Sequence, residues 1–242
     1  MAIRPASRKD AQIIVGAYDM SSALDVLAFK QSAVLVNFNA LGSASPTVYD
    51  TGERFAELSC SGLPNTHTTV SHIATQIATV KFDSDVLDRR CFMFPQTTVS
   101  DVGEVIAAGD INRVETTFSI SGEFNHGYIV APLVARTDSG STDATYCDSD
   151  AAVVNPATAH ALLHVTGLAL GGYANCLIKV RDSADGDAHA DHTAFTAVTG
   201  GTAELKTLTG GVGRYISVSW LWQGGSPSGG HSITFTVAYA RD

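Results

Sequence analysis

Ile216, Val218, Trp220 and Trp222 alternate with other residues along YISVSWLW, and Ile233, Phe235, Val237 and Tyr239 alternate along SITFTVAYA. A period of two places each apolar set on one face of a β-strand. The run between them, GGSPSGG, is a turn signal, so the pair reads as an antiparallel hairpin that completes a sheet. This hairpin holds no catalytic motif, which favours architecture or binding over chemistry.

The rest of the chain reads in the same way. Its 242 residues are 45% hydrophobic and include 22 glycines, which favours many short strands joined by tight turns. Strand candidates are Ile13–Val15, Val26–Phe29, Ala33–Phe38, Phe55–Ser61, Cys91–Phe94 and Gly103–Ala108. In Phe55–Ser61 the Ala56, Leu58 and Cys60 face packs inward. Val114–Ile120 and His126–Val134 form a further pair, joined through SGEFN. Asn39–Arg54 reads as a long loop. Thr68–Phe82 is the one helix candidate, with Val70, Ile73, Ala74, Ile77, Ala78 and Lys81 at helical spacing and Thr66 or Thr68 as cap. Beyond the polar run Thr137–Thr145 come Ala161–Val165, Cys176–Arg181, Phe195–Val198, Ala203–Leu208 and the closing pair. The expected organisation is two domains, 1–137 and 138–242, the second a β-sandwich.

Only 16% of the residues are charged, which suits a surface that meets other protein, and the formal net charge is −9. That balance argues against gripping nucleic acid through a basic footprint, yet it suits a wall past which DNA slides. No stretch reaches the roughly 20 apolar residues of a membrane-spanning helix. The start, MAIRPASRKDAQIIVG, has no apolar core or cleavage pattern of a signal peptide. Cys60, Cys91, Cys147 and Cys176 lie far apart without a CxxC pair, so they read as small buried side chains of a reducing compartment rather than zinc ligands.

Four patterns invite a chemical reading. Asp182, Asp185, Asp187, His189, Asp191 and His192 crowd one segment, as calcium or transition-metal ligands would. Their order does not match the calcium-loop pattern, and an acidic solvated turn explains them better. His160 and His164 stand four apart, but in a strand they share a side at a distance too great for one metal. Trp220, Trp222 and Tyr239 suggest a sugar-stacking platform, although their phase with Ile216 and Val218 favours core. Gly210–Gly213 lacks the Lys-Ser/Thr of a phosphate loop, and no GxSxG elbow is present. The expectation is no enzyme, with no catalytic, cofactor-binding or metal residues.

Three groups of segments carry a resemblance: YDMSSALDVLAF with GERFAELSCSGL, then DVGEVIAAGDINRVETTFSISGEFNHGYIVAPLV, then IKVRDSADG, FTAVTGG, RYISVSW and SITFTVAYARD. Across nearly its whole length the chain resembles the tail tube (major tail) proteins of long-tailed bacteriophages, in the form with a C-terminal β-sandwich domain. The resemblance implies an all-β fold with one flanking helix, in which a ring-forming β-sandwich or barrel precedes an outer decoration domain. It implies hexameric rings stacked into a tube in the virion tail, made in the host cytoplasm. Other tail proteins are the expected partners, DNA passes the lumen without specific binding, and neither a cofactor nor a membrane is involved. A capsid decoration or other virion surface protein is the alternative, and a carbohydrate-binding β-sandwich module a further one.

Overall fold

The computed structural model describes residues 12–21, 24–38, 48–62, 76–81, 89–105, 113–120, 125–149, 158–225, 227 and 229–241. In chain order the strands are β1 (Gln12–Val15), β2 (Tyr18–Asp19), β3 (Leu24–Phe38), β4 (Val48–Gly62), β5 (Gln76–Lys81), β6 (Arg90–Val105), β7 (Arg113–Ile120) and β8 (Asn125–Arg136). They continue with β9 (Gly140–Ser141), β10 (Cys147–Asp148), β11 (Ala159–Ala169), β12 (Tyr173–Ser183), β13 (Ala190–Ala194), β14 (Thr202–Leu208), β15 (Tyr215–Gly225) and β16 (Ser232–Arg241). The fold is all-β, with a short 3-10 turn at Asp143–Thr145.

The chain divides into two compact units. One comprises Met1–Ser22, Ile77–Pro95 and Phe124–Asp242, the other Ala23–Gln76 and Gln96–Glu123. A division at 137/138 assigns β8 and β16 to different domains, whereas β8 is hydrogen-bonded along β16 from Gly127↔Ala240 to Arg136↔Ile233.

In the first unit one sheet runs β14-β11-β16-β8-β6-β5-β1-β2, and a second runs β10-β15-β12-β13 with β9 also on β15. The apolar alternation of the sequence fills the space between them. Leu163, Val165, Ile233, Phe235, Val237 and Tyr239 from one sheet pack in a single cluster with Cys176, Ile178, Val180, Ile216, Val218 and Trp222 from the other. Each side chain of this size removed from water contributes about 1.5–3 kcal/mol. The large sheet also buries its opposite face, where Leu162, Ala238 and Ala240 join Cys91, Met93 and Ile129.

The closing pair is therefore not a hairpin. β15 pairs with β12, and β16 with β11 and β8, so the two strands lie in opposite sheets. Trp220 and Phe235 instead meet ring to ring across the core, centroids 5.7 Å apart. Alternation reports which face is apolar, and two strands that share a core across a sandwich alternate just as two in one sheet do. Likewise β7 does not pair with β8: β7 lies between β4 and β6, and β8 between β16 and the start of β6. Phe195–Val198 is a single bridge, Cys176↔Val198, with Phe195 N–H donating to Ile178 O.

The helix expectation also fails where it is described. Gln76–Lys81 is strand β5, paired with β1 from Val15↔Ala78 to Gln12↔Lys81, while 68–75 and 82 lie outside the described residues. Ile77, Thr79 and Val80 are β-branched, and such side chains favour the pleated surface over the helix. Val48–Arg54, expected as loop, is the first half of β4; 39–47 lie outside the described residues. The expected strands at 26–29 and 33–38 fuse into β3, and 91–94 fuses with the start of 103–108 into β6, of whose expected end 106–108 lie outside the described residues.

In the second unit the sheet order is β3-β4-β7-β6. Leu58 and Cys60 are buried and Glu57 is exposed, as the alternation of β4 requires. The second half of β6 pairs with β7 from Thr97↔Ile120 to Val105↔Arg113, with a register shift between Val99 and Asp101.

Two local devices fit β8 to its neighbours. Between Ala131↔Val237 and Val134↔Phe235 the strand carries one more residue than β16, a bulge that takes Pro132, which has no N–H to offer a ladder. Thr236 on the opposite strand donates its hydroxyl to Ala131 O at 2.7 Å, so that buried carbonyl is satisfied. At Gly127 a Cβ would stand 2.4 Å from Tyr239 O and 2.9 Å from Met93 Sδ. Gly127→Ala is expected to cost about 2 kcal/mol by overpacking. Urea unfolding checks this as a lower midpoint at unchanged slope.

Candidate functional site

The densest polar cluster stands on the outer face of the smaller sheet. β15 puts Ser217 there, opposite in phase to the core residues Ile216 and Val218, and β12 supplies Lys179 and Arg181. Ser217 Oγ donates to Asp143 Oδ1 at 2.6 Å, and His189 Nδ1 lies 3.0 Å from Ser217 Oγ. Arg181 binds Asp143 and the His189 carbonyl and reaches Asp191 at 3.2 Å, while Lys179 reaches Asp191 at 2.6 Å. Burial alone would raise the Asp143 carboxyl; hydrogen bonds from Ser217 and Ser141 and the Arg181 charge outweigh it and hold it below the ordinary range.

This constellation contains a serine, a histidine and an aspartate in the wrong order for nucleophilic catalysis. A base must sit between nucleophile and carboxylate to take the proton. Here the serine occupies the middle, spends its proton on the carboxylate and is fully buried. With that proton committed, His189 donates from Nδ1 to Ser217. The arrangement ties the turn at Asp143 to the acidic segment.

Asp182 and Asp185 serve the turn itself. Asp182 Oδ2 accepts the Gly213 N–H at 2.6 Å, and Asp185 Oδ1 accepts the Ser183 hydroxyl at 2.8 Å and the Asp187 N–H at 3.0 Å. Asp185 is held below the usual carboxylate range first by that backbone N–H, and Asp191 by the hydrogen bond from Lys179. His192 Nδ1 stands 3.7 Å from Asp182 Oδ1. Among the described residues no three His, Cys, Asp or Glu side chains are grouped to hold a metal ion.

His160 and His164 both lie on β11, as a strand reading requires. His160 Nδ1 is 3.4 Å from the Thr207 hydroxyl. His164 is fully buried, with Nδ1 2.7 Å from Gly16 O and Nε2 2.9 Å from Thr79 Oγ1. A carbonyl only accepts, so Nδ1 carries the proton and Nε2 accepts from Thr79. Burial lowers the imidazole pKa to about 4, against a smaller opposing effect of the Gly16 carbonyl.

Trp222 and Tyr239 are 6% and 1% exposed, so they are core and not a sugar platform, and burial pushes the Tyr239 phenol up to about 12. Trp220 has a different task that its phase did not reveal. Its Nε1–H donates to Asp138 O at 2.5 Å, and its ring lies 4.9 Å from the Arg136 guanidinium carbon. Arg136 is only 8% exposed, sits 3.9 Å over the Phe235 ring and donates to the carbonyls of Pro132, Val134 and Phe235. Desolvation lowers its pKa to about 10. Sequence reasoning passed over Arg136 because an arginine at a strand end reads as solvated; the flanking bulge proline was the available signal.

No family model matches the chain, and no curated protein matches it. Among solved structures, a chain of the virion of a native gene transfer agent particle is 16% identical over 49% of this chain and 95% of its own, with a TM-score of 0.38. A chain of the tube-terminating cap of the anti-feeding prophage is 7% identical over 52% of this chain and 95% of its own, TM-score 0.39. The Dit protein of SPP1, a paradigm of the hub adsorption apparatus in phages that infect Gram-positive bacteria, is 11% identical over 97% of this chain and 100% of its own, TM-score 0.35. At these scores the likenesses are partial and carry no function to this chain.

Two outcomes test the burial. His164 has a folded-state pKa of about 4, below the ordinary value of 6.5, so the unfolded chain binds the extra proton between those values. Its contribution is present above pH 6.5 and is lost as pH falls toward 4, a swing on the order of 3 kcal/mol. His164→Gln is expected to flatten the pH dependence of Tm across that window. All four cysteines are buried and free, and desolvation raises Cys60 to about 12, Cys176 to about 11 and Cys91 further still. An aromatic disulfide reagent is expected to find no reactive thiol in native protein and all of them in denaturant.

Proposed function

We propose that this chain is a virion structural protein of the phage-tail type, without catalytic activity, that assembles into hexameric rings stacked as a tube through which DNA passes. The carrying observation is the sheet of the second unit. β3 and β4 each run for 15 residues, and among the described residues β3 has β4 as its one ladder partner. The far edge of β3 is a long row of backbone donors and acceptors. Natural edges are usually blunted by charges, proline or brevity. β3 carries two charges, Asp25 and Lys30, and no proline. Such an edge suits pairing with a second copy, and head-to-tail pairing that closes on itself yields a ring without free edges.

In this reading ring formation belongs to the second unit, which contains β3, β4, β7 and the second half of β6. The net charge of −9 disfavours condensation of DNA on the wall. Other tail proteins are its partners, and the virion tail is its place. Negative-stain electron microscopy of the purified protein is expected to show rings or tubes. Ala28→Lys, at an exposed position of β3, is expected to leave a folded monomer that no longer assembles. Monomers alone at high concentration in every salt tested overturn the proposal, and a trimer that binds empty heads replaces it with capsid decoration.

A further inference from the structure

Where β12 begins and β15 ends, three rings meet. Tyr173 stacks on Trp222 with centroids 5.4 Å apart, and His231 stands steeply against both, 5.0 Å from Tyr173 and 5.1 Å from Trp222. Backbone packing holds His231 in place. A Cβ on Gly171 would come within 2.6 Å of the His231 backbone nitrogen, and one on Gly225 within 2.1 Å of Gly172 O. Both glycines have positive φ, 53° and 110°, so the loops press together with only backbone between them.

Trp222 is 6% exposed, and its Nε1 has no hydrogen-bond partner among the described residues. The buried Nδ1 of His231 has none either. Natural structures leave few buried polar atoms unpaired, and here two lie on touching rings. With the His231 proton on Nε2 their chemistries are complementary. The indole N–H only donates, and Nδ1 of a neutral imidazole protonated on Nε2 only accepts. An ammonium has no lone pair for the indole, and a carboxylate has no proton for the imidazole. A hydroxyl has both.

We propose that Trp222 and His231, with Tyr173 as a wall, form a binding site for one hydroxyl group. The hydroxyl accepts from Trp222 Nε1–H and donates to His231 Nδ1. Two sources share this chemistry: an ordered water, and a hydroxyl of a saccharide laid against the half-buried rings of Tyr173 and His231.

The chain has 2 tryptophans, so nitrogen-15 spectra of the full chain contain two indole signals. Trp220, bonded to Asp138 O, is the internal reference. The Trp222 indole proton is expected either to cross-relax with a long-lived water or to shift saturably with glucose, galactose or N-acetylglucosamine while Trp220 stays fixed. The first response without the second identifies water, and the second identifies a saccharide. His231→Phe keeps a ring in place and removes the acceptor, so solvent exchange of the Trp222 indole is expected to accelerate about tenfold, the worth of one hydrogen bond. A wild-type Trp222 signal with neither response overturns the proposal, as does an exchange rate unchanged in a folded His231→Phe. Should that variant not fold, the two wild-type measurements decide alone.

Discussion

From Phe235 to Ala240 β16 has no solvent face, and the first unit depends on that. Its odd residues, Ile233 to Tyr239, fill the space between the two sheets, and Ala238 and Ala240 pack on the far side of the large sheet. Its edges are equally committed, to β11 on one side and β8 on the other. A strand enclosed on four sides must satisfy every backbone group in its ladders and carry small residues wherever a second layer approaches. That is why Thr236, Ala238 and Ala240 alternate with Phe235, Val237 and Tyr239 along it, and why Gly127 faces it from β8.

The face of nearly every strand was legible in the sequence, and the partner of several was not. Ile216, Val218 and Trp222 are core as their spacing requires, and so are Leu58 and Cys60. Partnership depends on connections, and the stretch from Gln223 to His231 is long enough to cross a sandwich as well as to close a hairpin. β5 misled for another reason. Ile77 and Ala78 fit a helical stripe by position, but Ile77, Thr79 and Val80 pay less in side-chain freedom as a strand, and β1 offers a ladder.

The polar clusters divide along a physical line. The acids of 182–192 sit at the surface, where Asp182 and Asp185 take up backbone N–H groups and Asp191 pairs with Lys179 and Arg181. This segment looked like a ligand set because turns and metal loops need the same short carboxylates. Arg136 and His164 sit inside, and there each polar atom needs a stated partner. Arg136 spends its fork on three carbonyls and its planar faces on Phe235 and Trp220, and His164 stays neutral between a carbonyl and a hydroxyl. The partners of His164, and Phe235 and Trp220 around Arg136, are distant in sequence and so were not legible; only the Pro132 and Val134 carbonyls are local to Arg136.

The position of β16 in the ladder also orders events in time. β8 and β11 are both translated before the strand that joins them, so each waits with an unsatisfied edge while the intervening chain is made. Nearly all pairing in that sheet is non-local, which slows folding and prolongs exposure of those edges. The first unit is thus a fold that synthesis cannot complete piece by piece. Its cooperativity arrives with β16, the last made of the described strands.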